Sequence, residues 1–237
     1  MNNSGLVVEL LKNYLKLKKI KKEKNYENLS WSDKDDLRLL YDNDAKYYYE
    51  ECNLKREEAL KGDTIISFWT IYCRLLKLEA NWTVANCAKS IGNIEALLKW
   101  INATWKNDYT DKIKKVNKKL EPFVKVYATK GNFMLLPERR MNTQRYRIAE
   151  DRIDMTLYEC FSKGALSKFF DTDDELISWI EKEKLECMFI DKLILKENIH
   201  WFTKETKPKW ISEMNAEEIY EYVDNAVSLI NERNSMR

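Results

Sequence analysis

Apolar side chains recur every three or four residues along most of the chain, which is the spacing of an amphipathic helix. In the first such segment, Leu10, Tyr14 and Leu17 follow this spacing with lysines between them. The same periodicity predicts helices over about residues 6–20, 33–60, 64–79, 94–105, 108–129, 143–164, 173–185 and 215–233. No apolar run approaches the roughly 20 residues that a membrane span needs. The pattern therefore predicts a mainly α protein with no membrane segment.

Polar residues and glycines mark where these helices begin and end. Asp63 follows Gly62 and is predicted to be the N-cap of the 64–79 helix, which is apolar on most faces and is the best candidate for the central core helix. Residues 131–142 interrupt the helical rhythm and are predicted to form a surface loop. Within it, Gly131 is predicted to adopt a positive φ, and the amide of Asn132 to satisfy backbone groups.

The composition supports a mainly α fold, and we divide the chain into two parts. Five glycines and three prolines in 237 residues are too few for the tight turns of an all-β sandwich or barrel. We expect a basic amphipathic helix with a charged linker at residues 1–30. A single helical domain is expected at residues 31–237, as a bundle or irregular array of about eight helices.

The scarcity of histidine excludes several catalytic classes. Ser-His-Asp and Cys-His triads need a positioned imidazole, and a conventional zinc protease needs at least two. His200 is the single histidine, so it is predicted to be structural. The five cysteines are scattered and never form a Cys-x-x-Cys pair, which is typical of reduced thiols in a cytosol. The sequence predicts a cytoplasmic protein with no cofactor and no bound metal.

Charge is distributed unevenly along the chain. Residues 61–169 carry twenty basic and eleven acidic side chains, whereas residues 170–237 carry nine basic and sixteen acidic ones. A basic central region can bind nucleic acid or an acidic partner. Alternatively, the acidic flanks fold against the basic centre.

Basic and aromatic side chains cluster around the 131–142 loop. Basic groups bind phosphates and aromatic planes stack on bases, so together they are typical of a single-stranded nucleic-acid site. Arg145, Arg147 and Arg152 are expected to remain at least partly exposed. The predicted binding residues are Lys130, Phe133, Arg139, Arg140, Arg145, Tyr146 and Arg147.

Two carboxylates offer an alternative site. Asp151 and Asp154 are three residues apart, so on a helix they would share a face. They would then either bind Mg²⁺ or stabilise the helix start and pair with Arg145 or Arg147.

Three segments resemble an uncharacterised family of bacterial proteins, a domain of unknown function. Residues 62–70 read Gly-Asp-Thr-Ile-Ile-Ser-Phe-Trp-Thr, like that family's Gly-Asp-Thr-x-x-Ser-aromatic-x-Thr helix start. Residues 131–137 read Gly-Asn-Phe-Met-Leu-Leu-Pro, and residues 151–157 resemble the family's aspartate-rich helix. The resemblance covers about residues 60–205 and implies a mainly helical fold without supplying an activity.

A fainter similarity links the Gly-Asn-Phe segment and Asn142 to the His-Asn-His nuclease domains of GmrSD-type restriction enzymes. In those domains, histidines activate water and help to hold a metal. Ala128 stands here where the first family often has histidine, so the catalytic group is missing.

These observations predict a non-enzymatic interaction protein. Its partner would be nucleic acid, a nucleoprotein complex or an acidic protein surface, bound through the basic central region in bacterial or phage conflict. The alternative function is a metal-dependent nuclease or phosphoryl-transfer enzyme that uses Asp151 and Asp154. Homo-oligomer formation is a third hypothesis.

Overall fold

A computed structural model describes residues 5–82, 90–103, 108–186, 198–199, 202–203 and 207–237, so His200 lies outside the described residues. The helices are α1 Leu6–Glu23, α2 Trp31–Tyr41, α3 Asn43–Glu50, α4 Arg56–Lys61, α5 Phe68–Ala80, α6 Ile91–Ile101, α7 Asp108–Tyr127, α8 Arg139–Ile148, α9 Ile153–Phe161, α10 Asp173–Lys182 and α11 Ala216–Met236. The strands are β1 Gly62–Thr64, β2 Phe133–Leu135, β3 Asn198–Ile199 and β4 Phe202–Thr203. The prediction of a mainly α fold is confirmed.

Helix α5 lies at the centre of the main hydrophobic core, as predicted. Phe68, Tyr72 and Leu75 are fully buried, and α5 packs against α7 and α11. Burial of large apolar side chains is the main favourable contribution to folding, at roughly 1.5–3 kcal/mol for each. None of the helices in the described part of the chain is long and apolar enough to cross a membrane.

Helix α1 packs on α6 and α7 and belongs to the main core. Val7 and Leu11 have no exposed surface, and Tyr14 is also buried. The lysines of α1 lie between these apolar positions and face outward or to its edges. The basic N-terminal helix is therefore held against the rest of the chain.

The predicted 33–60 helix is wrong, because this region forms three helices around a second, smaller core. Asp42 ends α2 and caps α3, where its carboxylate accepts a hydrogen bond from the Asp44 N–H at 3.2 Å. Asn53 then adopts a left-handed φ of 50° before α4 begins. Tyr48 and Leu60 contribute to the small core, which also includes Phe133 of β2.

Strands β1 and β2 bring two distant sequence motifs together. They pair antiparallel, with Gly62 opposite Leu135 and Thr64 opposite Phe133. The predicted N-cap role of Asp63 is wrong, because Asp63 lies within β1 and Ser67 is the residue that precedes α5. The antiparallel pairing satisfies backbone groups that a short segment cannot satisfy alone.

The segment predicted to be a surface loop is mostly buried, so that prediction is also wrong. Asn132 has no exposed surface; its Nδ2 donates to the Tyr127 carbonyl at 2.9 Å and its Oδ1 accepts from the Ile66 N–H at 3.3 Å. These bonds confirm the predicted role of the Asn132 amide. Helix α8 then begins at Arg139, earlier than the sequence pattern predicted.

Gly131 is required for a reason other than the one predicted. Its φ is not positive. A Cβ on Gly131 would lie 2.0 Å from the Ile230 carbonyl oxygen of α11, which is far closer than atoms can approach. The N–H of Gly131 also donates to Asn234 Oδ1 at 2.6 Å. The glycine therefore allows α11 to pack directly on the chain that enters β2.

Arg233 fixes α11 in this position. Its side chain is fully buried and donates hydrogen bonds to the carbonyls of Gly131, Phe133, Glu183 and Lys184. The guanidinium has five N–H donors, so it can satisfy several carbonyls at once. It joins α11 both to β2 and to the segment that follows α10.

Candidate nucleic-acid interface

Helix α8 presents a basic and aromatic face to solvent. The side chain of Arg140 is 81% exposed, Tyr146 is 69% exposed, and Arg147 is also exposed. Positions 140 and 147 are two helical turns apart, about 10 Å along the axis, and therefore share a side of the helix. We call Arg139, Arg140, Tyr146 and Arg147 the arginine face.

Two members of the arginine face already contact carboxylates. Arg139 Nη1 donates to Asp35 Oδ2 of α2 at 3.0 Å, and Arg140 pairs with Glu138 at 3.2 Å. The Arg140–Glu138 pair is exposed, and pairs of this kind contribute at most about 1 kcal/mol, so Arg140 can exchange its carboxylate for a phosphate at small cost. Asp35 is buried and accepts hydrogen bonds from both Nη atoms of Arg139, so Arg139 keeps its carboxylate partner.

Arg145 lies on the opposite side of α8, and the prediction that it is exposed is wrong. It follows Met141 by one turn and points into the interior, where it has no exposed surface. Its Nε donates to Thr156 Oγ1 at 2.8 Å and its Nη1 pairs with the Asp63 carboxylate. A buried arginine that is paired in this way is unavailable to a nucleic acid.

The carboxyl group that faces Arg145 belongs to Asp63. Burial raises the pKa of Asp63 above its usual value, while the neighbouring Arg145 guanidinium opposes that rise. Within a low-dielectric interior, an ionised carboxylate is stable only beside such a partner. The pair is therefore a structural connection between α8 and β1.

Phe133 and Lys130 also lie away from the arginine face. Phe133 is buried and stacks on Tyr47, with ring centroids 4.4 Å apart, so the prediction that it stacks on a base is wrong. Lys130 is exposed in the turn that precedes β2, and that turn packs on α11. Arg139, Arg140, Tyr146 and Arg147 are the predicted binding residues that the structure brings together.

The aspartate pair does not form the shared face that the sequence predicted. Helix α9 begins at Ile153, so Asp151 lies before it, with a left-handed φ of 52°. Asp154 is buried and pairs with Arg152 rather than with the predicted Arg145 or Arg147. The two carboxylates therefore do not present a common surface to a metal ion.

Arg152 occupies the position that a cation would need. Its Nη2 donates to Asp154 Oδ2 at 2.6 Å and its Nε to Asp154 Oδ1 at 3.1 Å. Arg152 is buried, so the prediction that it is partly exposed is wrong. Burial, followed by the charge of Asp154, raises the pKa of the adjacent Tyr222 well above its usual value. Among the described residues, no group of three or more His, Cys, Asp or Glu side chains is arranged to hold a metal ion.

The sequence contains a pattern from which the buried polar residues Asp154 and Thr156 could have been identified, although helical amphipathic spacing does not reveal it. Asp154 and Thr156 alternate with the apolar residues Ile153, Met155 and Leu157, and all five are buried. Polar side chains within such a dense apolar run are candidates for buried hydrogen-bonded pairs. The identity of their arginine partners required the three-dimensional structure.

Comparison of the chain with protein-family models, with curated proteins and with solved structures finds no match. The two family resemblances described above stay predictions.

Proposed function

We propose that this protein binds single-stranded nucleic acid through the arginine face of α8. The observation that carries the proposal is the exposure of Tyr146 beside Arg140 and Arg147 on one short helix. Arginine guanidinium groups bind phosphate oxygens, and a tyrosine ring stacks on an unpaired base. Bacterial or phage conflict is the biological setting of this proposal, from the charge asymmetry, the missing catalytic groups and the resemblance to a bacterial family together.

The exposed tyrosine favours a single strand over a duplex. In a duplex, the base faces are already stacked on one another, whereas a single strand offers them to an aromatic side chain. The basic surplus of residues 61–169 adds a longer-range attraction for the phosphate backbone. Arg139, held by Asp35, would limit the orientation of the nucleic-acid strand along α8.

The double charge reversal Arg140→Glu, Arg147→Glu is expected to weaken binding of a fluorescent single-stranded oligonucleotide by at least about tenfold at 0.15 M salt. The two replaced guanidinium groups would no longer neutralise phosphates, so the salt dependence of the affinity should also fall. Fluorescence anisotropy across a salt series measures both quantities. Tyr146→Ala should weaken binding by roughly 5–150-fold, the equivalent of about 1–3 kcal/mol for one stacked base.

The matched control is Lys163→Glu, Lys209→Glu, which changes the net charge by the same amount at exposed positions outside α8. Its affinity should stay within about threefold of the unmodified protein. Equal losses in the two double variants would show a non-specific charge effect and contradict the proposal. Loss on charge reversal without any effect of Tyr146→Ala would mean that the phosphate backbone is bound without base stacking, and would contradict the proposed preference for a single strand.

A further inference from the structure

A cleft of about 770 Å³ lies where α1, α6 and α7 meet, away from the residues of the arginine face. Val7, Val8 and Ile101 provide its apolar lining. Its polar lining consists of Gly5, Lys12, Asn102, Lys114, Asn117, Lys118 and Glu121. We call it the α1–α7 cleft. Its size lies within the range of about 300–1,000 Å³ that is usual for small-molecule sites.

The charge of the cleft suits an anion. Lys114 and Lys118 are one turn apart on α7, and among the described residues neither has a carboxylate within ion-pair distance. Lys12 contributes a third ammonium group and pairs with Glu9 at 2.9 Å. The described residues of the lining include three lysines and one glutamate, Glu121, which together carry a formal charge of +2. A phosphate monoester carries about −1.5 to −2 at pH 7, so the charges are complementary.

Asn117 Nδ2 is a hydrogen-bond donor in the lining of the cleft. Its side chain is only 8% exposed, and its Oδ1 accepts a hydrogen bond from the Tyr72 hydroxyl at 2.8 Å. That bond fixes the orientation of the amide, and Nδ2 has no hydrogen-bond partner within the part of the chain that the structure describes. Nδ2 is therefore available to donate a hydrogen bond to a ligand oxygen in the cleft.

The first turn of α1 adds a second kind of anion-binding group. Gly5 is the N-cap of this 18-residue helix and, as a glycine, has no side chain with which to cap the free N–H groups there. Such helix ends attract oxyanions through their N–H groups and the positive end of the helix dipole. Glu121 already places a carboxylate oxygen at this end, 2.8 Å from where a Cβ on Gly5 would lie. The α1 terminus therefore accommodates an oxyanion.

We propose that the α1–α7 cleft binds a small molecule through a phosphate group. Lys114 and Lys118 neutralise the phosphate, and Asn117 Nδ2 donates a hydrogen bond to one of its oxygens. Glu121 competes with the ligand for the start of α1 and lowers its affinity. Val8 and Ile101, which keep a small accessible surface, contact the remainder of the molecule. This site does not depend on nucleic-acid binding by α8.

Isothermal titration calorimetry with inorganic pyrophosphate and with adenosine monophosphate as probes tests the proposal. Lys114→Gln, Lys118→Gln should weaken both affinities by at least about tenfold. Glu121→Gln should strengthen them, because it removes the competing charge while preserving the size of the side chain. The matched control is Lys115→Gln, Lys125→Gln, which removes two exposed charges from the same helix outside the cleft and should leave both affinities unchanged.

Three results would overturn the proposal. The first is that neither probe binds at millimolar concentration. The second is that the two lysine double variants lose affinity for the probes equally. The third has two parts. The Lys114→Gln, Lys118→Gln protein loses as much affinity for a single-stranded oligonucleotide as the Arg140→Glu, Arg147→Glu protein does, and the oligonucleotide displaces adenosine monophosphate from the unmodified protein. The cleft phosphate would then belong to a bound nucleic-acid strand rather than to a small molecule.

Discussion

Replacing Arg145 with methionine is expected to lower the free energy of unfolding by about 3–5 kcal/mol. Methionine preserves much of the side-chain volume, so the main effect is the loss of the cation beside Asp63. The carboxylate would remain buried without its charged partner, and Thr156 Oγ1 would lose a hydrogen-bond donor. Equilibrium unfolding in urea, followed by circular dichroism at pH 7, measures the change.

Arg147→Met is the matched control, because Arg147 lies two positions further along the same helix and is exposed. Its free energy of unfolding should change by no more than about 0.5 kcal/mol. The double variant Asp63→Asn, Arg145→Met removes both charges and should recover part of the lost stability. Equal stability of the Arg145→Met and Arg147→Met proteins would contradict the structural role of the buried pair.

Gly131→Ala is expected to destabilise the protein by about 3 kcal/mol, near the upper end of the usual range for overpacked sites. The added methyl group would meet the Ile230 carbonyl oxygen, a backbone atom that cannot rotate away as a side chain can. Helix α11 would have to shift from β2, which would also lengthen the bond between Gly131 N–H and Asn234 Oδ1. Thermal and urea unfolding both report this loss.

Gly92→Ala adds the same methyl group but is not expected to destabilise the protein. Gly92 lies in the first turn of α6, and no atom outside its own neighbourhood lies within 4 Å of the added methyl group. Alanine is the better helix former, so the change should be neutral or stabilising by up to about 1 kcal/mol. If Gly131→Ala were tolerated as well as Gly92→Ala, the close approach of α11 to Gly131 would be wrong.

The long periodic helices could be predicted from the sequence, and the short elements could not. Helices α5 and α11 carry enough apolar positions at helical spacing to identify them without any partner. The breaks between α2, α3 and α4 depend instead on the Asp42 cap and on the left-handed Asn53, which are local polar features. Strands of three residues show no usable period, and β1 exists only because β2 pairs with it from about 70 residues away.

The candidate interface was only partly predictable for a similar reason. Arg147 is exposed on α8, as predicted, and Tyr146 beside it is exposed as well. Arg145 lies at an inward position of that helix, and charged residues are rarely buried unless they are paired. Its partner, Asp63, is 82 residues earlier in the chain, and no local pattern connects the two.

The bonds from Arg233 also determine the order in which the fold is completed. Arg233 lies 102 residues after Gly131 and 100 after Phe133. A ribosome adds roughly 5–20 residues per second, so the bonds from Arg233 to these two carbonyls cannot form until about 5–20 seconds after the carbonyls are synthesised. Closing so long a loop also has an entropic cost that precedes any gain from the bonds. During synthesis, β2 can pair with β1, which precedes it, but it lacks its contact with α11 for this interval and is then more accessible to proteases and to non-native pairing.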